Sequence, residues 1–162
     1  TTGPYPLSYN GWGDILVIVF FGFVPVGGTY YVQALTWTPD VTIASLVCGL
    51  LIDTLLVVNN YRDREADAHS GKRTVIVRFG EKFGRYFYLS LGIAASLLCL
   101  YFLFEEHIYA ALLPQLYLIP HVFTWRRMVK IYSGKKLNSI LGETSRNMLL
   151  MGILLSIGML IS

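Results

Sequence analysis

The sequence predicts an all-α, polytopic transmembrane bundle of about five spans, and three observations predict it. Of 162 residues, 54% are hydrophobic and only 14% are charged, whereas soluble domains carry roughly a quarter charged residues. The apolar residues fall in blocks long enough to cross a bilayer, about 20 residues each. The ~10-residue alternating segments that mark a transmembrane barrel are absent, so the blocks read as helices.

The first span runs from about Asp14 to Gln33 and the second from about Val41 to Tyr61. The third covers about Phe83 to Phe104, the fourth about Ile108 to Trp125, and the fifth about Asn147 to Ile161. Pro25, Pro114 and Pro120 fall inside spans. Each removes one backbone donor, so kinks are expected there, with neighbouring groups satisfying the freed carbonyl. Gly27 and Gly28 in the first span allow close helix packing or local unwinding.

Charge sets the expected orientation. The chain holds 13 Lys and Arg residues, and none precedes Arg62. They gather between Arg62 and Arg85 and between Arg126 and Arg146, which reads as two cytoplasmic loops of a multi-pass protein of the cell (inner) membrane. The links at Thr38-Pro39-Asp40 and Glu105-Glu106-His107 then lie outside, and five spans alternate without conflict. Neither basic stretch interleaves aromatics as a nucleic-acid surface does, so no nucleic-acid partner is expected; the bilayer is. Cys48 and Cys99 lie within spans and show neither a disulfide framework nor metal spacing. The chain opens on Thr1-Thr2-Gly3 without an initiator Met, and we read it as a fragment or a processed product.

The informative segment is Asn59-Asn60-Tyr61-Arg62-Asp63-Arg64-Glu65-Ala66-Asp67, followed by His69-Ser70-Gly71-Lys72-Arg73-Thr74. If the second span continues as a helix, Asn59, Asp63 and Asp67 recur at i, i+4 and i+8 and share one face. Such a stripe presents hard oxygens in a row at the membrane surface. Hard oxygens suit Mg²⁺, which bridges carboxylates to substrate phosphates. Lys72 and Arg73 offer positive charge to phosphate oxygens, Arg73 through a planar fork. Gly71-Lys72-Arg73-Thr74 resembles the end of a P-loop, but Ala66 and Arg73 stand where that pattern needs Gly and Ser or Thr.

Asp53 lies inside the second span, ten residues before Asp63 and near the same face. An ionised, unpaired carboxyl there costs roughly 2.5–3.5 kcal/mol on insertion scales, so it faces the bundle interior, either as a polar group of an acceptor pocket or as a hydrogen-bonded structural carboxyl. Tyr30 and Tyr31 end the first span as interfacial anchors. His121 reads as a hydrogen-bonded core residue. Gly80 and Gly84 match a small-residue helix-packing spacing, but in a charged setting that weakens a dimerisation reading.

At these residues the chain resembles the UbiA superfamily of intramembrane prenyltransferases, most of all its dihydroxynaphthoate branch. The resemblance is carried by Gly3-Pro4-Tyr5-Pro6-Leu7-Ser8-Tyr9-Asn10-Gly11, by Gly27-Gly28-Thr29-Tyr30-Tyr31, and by the segment from Asn59 to Thr74. It implies nine helices around a central cavity, of which this chain supplies the fifth to ninth. The whole chain, residues 1–162, would be the C-terminal part of a single membrane prenyltransferase domain, with the preceding helices and a first aspartate-rich motif as its partner.

The resemblance implies transfer of a polyprenyl group from polyprenyl diphosphate to 1,4-dihydroxy-2-naphthoate, with decarboxylation, giving demethylmenaquinone. Asp63 and Asp67 would be catalytic and would hold Mg²⁺ with Asn59. Lys72, Arg73, Asn60, Asp53 and Tyr31 would bind substrate. Two alternatives remain open on sequence. One is a sister enzyme using 4-hydroxybenzoate, homogentisate or a chlorophyllide as acceptor. The other is a non-catalytic or cation-transporting membrane subunit, although transporter sites favour broken helices at the midplane rather than the surface.

Overall fold

The computed structural model describes residues 6–162, so Gly3, Pro4 and Tyr5, which carry part of the resemblance, lie outside the described residues. Every regular element described is helical. In chain order the five helices are α1 (Gly13–Ala34), α2 (Pro39–His69), α3 (Val75–Leu103), α4 (residues 108–131) and α5 (Asn138–Leu160). Four of them, α1, α2, α3 and α5 (the last together with the 3₁₀ turn that precedes it), are long and apolar enough to cross a membrane.

The fourth expected span is helical but interrupted. A 3₁₀ stretch, Leu113–Tyr117, begins beside Pro114 and separates Ile108–Leu112 from Leu118–Ile131. Pro120 sits in the first turn of the last piece, where its missing N–H costs little. The third and fifth helices start earlier than the apolar pattern indicates, at Val75 and Asn138 rather than near Phe83 and Asn147. In both, the first turns carry charged residues that hydropathy assigns to a loop.

In α1 the kink expected at Pro25 takes the form of a π-helical stretch, Ile18–Gly27. The wider turn accommodates a residue that cannot donate. The same helix crosses α2 at close range. A Cβ added at Gly22 would lie 2.4 Å from the Ser45 carbonyl oxygen, and one at Gly49 would lie 2.9 Å from the Ile18 Cα. Only glycine lets the two backbones approach so far.

α2 is the central element. Thr38 caps its start by accepting from the Val41 N–H at 3.4 Å, with Pro39 in the first turn. Its 31 residues rise roughly 46 Å, more than the ~30 Å of a hydrocarbon core, so its last turns stand clear of the apolar layer. Two buried clusters hold α2 in place. One joins Val47 and Leu51 to Ala95, Cys99, Phe102, Ala110 and Met151. The other joins Val57, Val58 and Tyr61 to Tyr88, Leu91, Met128 and Ile140.

α3 bends at Gly80, whose φ of 86° and ψ of 172° belong to a region open essentially to glycine alone. Gly84 then lies so close to α2 that an added Cβ would sit 3.1 Å from the Tyr61 ring. The Gly80/Gly84 spacing thus serves a bend and an internal helix contact. His121 is buried in the core as expected: Nδ1 and the Tyr117 hydroxyl are 2.9 Å apart, and its ring stacks on Tyr88.

Both basic loops lie at one end of the bundle, because Arg62 near the end of α2 reaches Asn138 at the start of α5. The segment before α1 joins them there: the Arg73 N–H donates to the Tyr9 carbonyl at 2.9 Å, and Arg78 donates to the Asn10 carbonyl at 2.7 Å.

Candidate active site

The second span continues as one helix to His69, so Asn59, Asp63 and Asp67 do share a face at successive turns. A Schellman cap closes the helix. Gly71 adopts φ of 76°, the Lys72 N–H donates to the Asp67 carbonyl at 2.9 Å, and the Gly71 N–H donates to the Ala68 carbonyl at 3.2 Å. The left-handed glycine turns the chain back on itself. Lys72 is thereby folded over the helix end, and its Nζ lies 3.2 and 3.3 Å from the two Asp67 carboxylate oxygens. The spacing of Asp67, Gly71 and Lys72 in the sequence is what makes this ion pair.

Asp63 has a cationic partner of its own. Arg62 Nε and Nη2 donate to its two carboxylate oxygens at 2.7 and 2.6 Å. Nη2 also donates to the Asn59 Oδ1 at 2.7 Å, and Nη1 to the Asn138 Oδ1 at 3.0 Å. Arg62 therefore ties two members of the stripe together and anchors them to α5. Sequence reasoning assigned Arg62 only to the cytoplasmic charge bias. Its position, three after Asn59 and one before Asp63, carried the missed signal. Nothing local marks Asn138.

Asn60 is buried on the adjoining face of α2 and borders a cavity of about 50 Å³ together with Asp14, Lys72 and Thr74. Asp14, brought in by the start of α1, was not foreseen. Asp53 lies two turns below Asn60 on the same face, fully buried, and neither carboxylate oxygen has a hydrogen-bond partner among the described residues. Arg73 is exposed at the rim. Tyr31 is not part of this assembly: it stands near the far end of α1 and is 52% exposed.

Below the stripe an apolar groove of about 730 Å³ separates α2 from α5, lined by Val47, Leu51, Ile52, Met148, Met151 and Leu155 among others. The Arg62–Asn138 contact bridges the same two helices at the polar end. Val26 and Ala44 line both this groove and a second cavity of about 590 Å³, which reaches Gln33, Asp40 and His107 at the opposite end.

Among the described residues no group of three His, Cys, Asp or Glu side chains comes together. An ion at the stripe would rest on two carboxylates and one amide oxygen. That set fits Mg²⁺, which keeps several waters and typically takes one or two carboxylates plus substrate phosphates.

Fold and site define a polytopic helical membrane protein whose central helix ends in a ladder of oxygen donors closed by two cations. The chain belongs to the UbiA prenyltransferase family, whose model matches residues 2–159. It is similar to the 1,4-dihydroxy-2-naphthoate octaprenyltransferase of Haemophilus influenzae, at 35% identity over 99% of this chain and 53% of that protein. It is 43% identical to the Escherichia coli K12 protein of the same name, over 62% of this chain and 32% of that one. The 2-carboxy-1,4-naphthoquinone phytyltransferase of Synechocystis is 28% identical over 50% of this chain and 26% of that protein. The chain thus spans about half the length of the Haemophilus relative. No solved structure matches it.

Proposed function

We propose that the chain forms the C-terminal part of a membrane prenyltransferase domain that joins a polyprenyl diphosphate to 1,4-dihydroxy-2-naphthoate, with loss of the acceptor carboxyl as CO₂. The observation that carries this reading is the Asn59/Asp63/Asp67 stripe, closed by Arg62 and Lys72 above an apolar groove. The names of the Haemophilus and E. coli relatives support the acceptor.

Asp63, Asp67 and Asn59 would hold Mg²⁺, which supplies Lewis-acid neutralisation of the charge leaving with the diphosphate. Lys72 and Arg73 add positive charge where the C–O bond to diphosphate breaks and its electron pair departs. The groove between α2 and α5 takes the isoprenoid tail and keeps water from an allylic cation. Asn60, with Asp14 beside it and Asp53 two turns deeper, supplies polar contacts for the acceptor. The helices that complete the cavity, with the first aspartate-rich motif, belong to the rest of the domain. The Lys/Arg bias supports a site on the cytoplasmic side of the membrane, which for this enzyme would be the inner membrane.

The test is a polyprenyl-transfer assay on membranes carrying the complete protein, with a panel of aromatic acceptors, with and without Mg²⁺. Mg²⁺-dependent product with dihydroxynaphthoate is expected. Product only with 4-hydroxybenzoate, homogentisate or a chlorophyllide moves the acceptor and keeps the mechanism. No product with any acceptor contradicts the reading and favours a cation-handling membrane subunit.

A further inference from the structure

The end of α2 carries a second polar cluster, beside the stripe, that the proposed reaction does not use. Arg64 is at its centre, with a side chain only 10% exposed. Its Nη1 donates to the Tyr61 carbonyl at 2.7 Å, and its Nη2 lies 3.6 Å from the Glu81 carboxylate. The guanidinium carbon stands 4.6 Å from the Tyr61 ring centroid and 5.1 Å from that of Tyr132. Arg85 completes the group from α3: it donates to the Tyr61 hydroxyl at 2.9 Å and to Glu81 at 3.2 Å, and lies 5.2 Å from the same Tyr132 ring. One aromatic ring thus meets two cations.

Tyr132 holds its position in a backbone conformation that tyrosine disfavours. Its φ of 68° and ψ of −54°, with the Ser133 N–H donating to the Ile131 carbonyl at 2.8 Å, make a γ-turn of the rare positive-φ kind. Glycine would take this conformation without strain, and Gly134, two residues on, adopts a positive φ of 84°. A tyrosine kept in a strained turn directs attention to its ring. Glu81, by hydrogen bonding and by charge, raises the pKa of the Tyr132 hydroxyl against a smaller opposing effect of Arg64. Six residues further along, Asn138 accepts from Arg62. Tyr132 and Asn138 therefore grip the two arginines on either side of Asp63.

We propose that Tyr132 is a positioning residue for the diphosphate site. The γ-turn presses its ring against Arg64 and Arg85, and with Asn138 on Arg62 the α4–α5 loop fixes the rotation of the α2 end that aims Asp63 and Asp67. The inference rests on the prenyl-diphosphate reading of that stripe.

Its test is calorimetric binding of inorganic diphosphate with Mg²⁺ to the complete protein, comparing wild type with Tyr132→Phe, Tyr132→Ala and Tyr132→Gly, alongside the KM of each substrate. Tyr132→Gly relaxes the turn and loses the ring, so it stays folded while removing the contact. Tyr132→Ala and Tyr132→Gly are expected to weaken Mg²⁺–diphosphate binding roughly tenfold, the loss of a partly desolvated cation–π contact, and to raise the donor KM while leaving the acceptor KM unchanged. Tyr132→Phe keeps the ring and binds as wild type does. Wild-type binding in Tyr132→Gly, or a Tyr132→Phe protein as weak as Tyr132→Ala, overturns the positioning role and leaves the functional reading standing. A wild-type protein that does not bind Mg²⁺–diphosphate overturns both.

Discussion

Arg62 grips Asp63 from the adjacent position on the same helix, with Nε and Nη2 at 2.7 and 2.6 Å from the two carboxylate oxygens. A guanidinium meets a carboxylate as a planar fork; an ammonium does so as a single point. The same guanidinium also holds Asn59 and Asn138, so it sets the orientation of the stripe as well as its charge.

Replacing Arg62 is therefore expected to act on substrate binding more than on folding. In the complete enzyme, Arg62→Gln should raise the KM for prenyl diphosphate by roughly tenfold or more, the value of a charge-assisted hydrogen bond. Arg62→Lys should recover little, because the fork is lost. Steady-state kinetics with donor and acceptor varied separately read this. A Lys variant equal to wild type would reduce Arg62 to a point charge.

Asp63→Ala and Asp67→Ala should each lower kcat by at least about a hundredfold, the scale seen when a preorganised charge-stabilising group is removed, with melting temperatures close to wild type. Neither side chain belongs to a buried cluster. Substantial turnover in both variants would remove them from the chemistry.

The Schellman cap gives a third expectation. Gly71 has φ of 76° and nothing within 4 Å of an added Cβ, so Gly71→Ala meets no clash and carries only the backbone cost, about 1–2 kcal/mol. The cap also aims Lys72 at Asp67. The variant should weaken diphosphate binding more than its loss of thermal stability accounts for. Equal diphosphate affinity in Gly71→Ala and wild type would show that Lys72 finds Asp67 without the cap.

How much of the molecule was legible in the sequence differs from element to element. The helical class and the four-residue spacing of the stripe were readable, whereas the helix past Tyr61 stood only as a condition, because its Asp and His residues are weak helix formers. The starts of α3 and α5 were not readable, since hydropathy counts apolar residues and cannot see a helix whose first turns are charged. The grouping of Arg62 with Asn138 was invisible because 76 positions separate them and only helix packing joins them. Tyr31 was drawn toward the site by resemblance, whereas the direction of α1 carries it to the opposite end. Asp14 needed the close crossing of α1 and α2, which rests on Gly22 and Gly49.

That crossing yields a stability prediction with an internal control. Gly49→Ala places a Cβ 2.9 Å from the Ile18 backbone and should destabilise by about 1–3 kcal/mol, as overpacking does. Gly142→Ala in α5 has nothing within 4 Å and should be neutral or stabilising by up to about 1 kcal/mol, the helix-propensity gain. Thermal unfolding of the purified protein in one detergent compares them; equal behaviour would mean that α1 and α2 do not touch as described.

The central claim is that the α2 end holds a prenyl diphosphate through a divalent ion on Asp63 and Asp67. The most direct measurement is equilibrium binding of a labelled prenyl diphosphate to the complete protein, with and without Mg²⁺, in wild type and in the Asp63→Asn, Asp67→Asn double variant, whose shape is preserved while both charges are lost. Mg²⁺-dependent binding in wild type that disappears in the double variant is the predicted result. Binding that survives the loss of both charges, or that ignores Mg²⁺ in wild type, would contradict it.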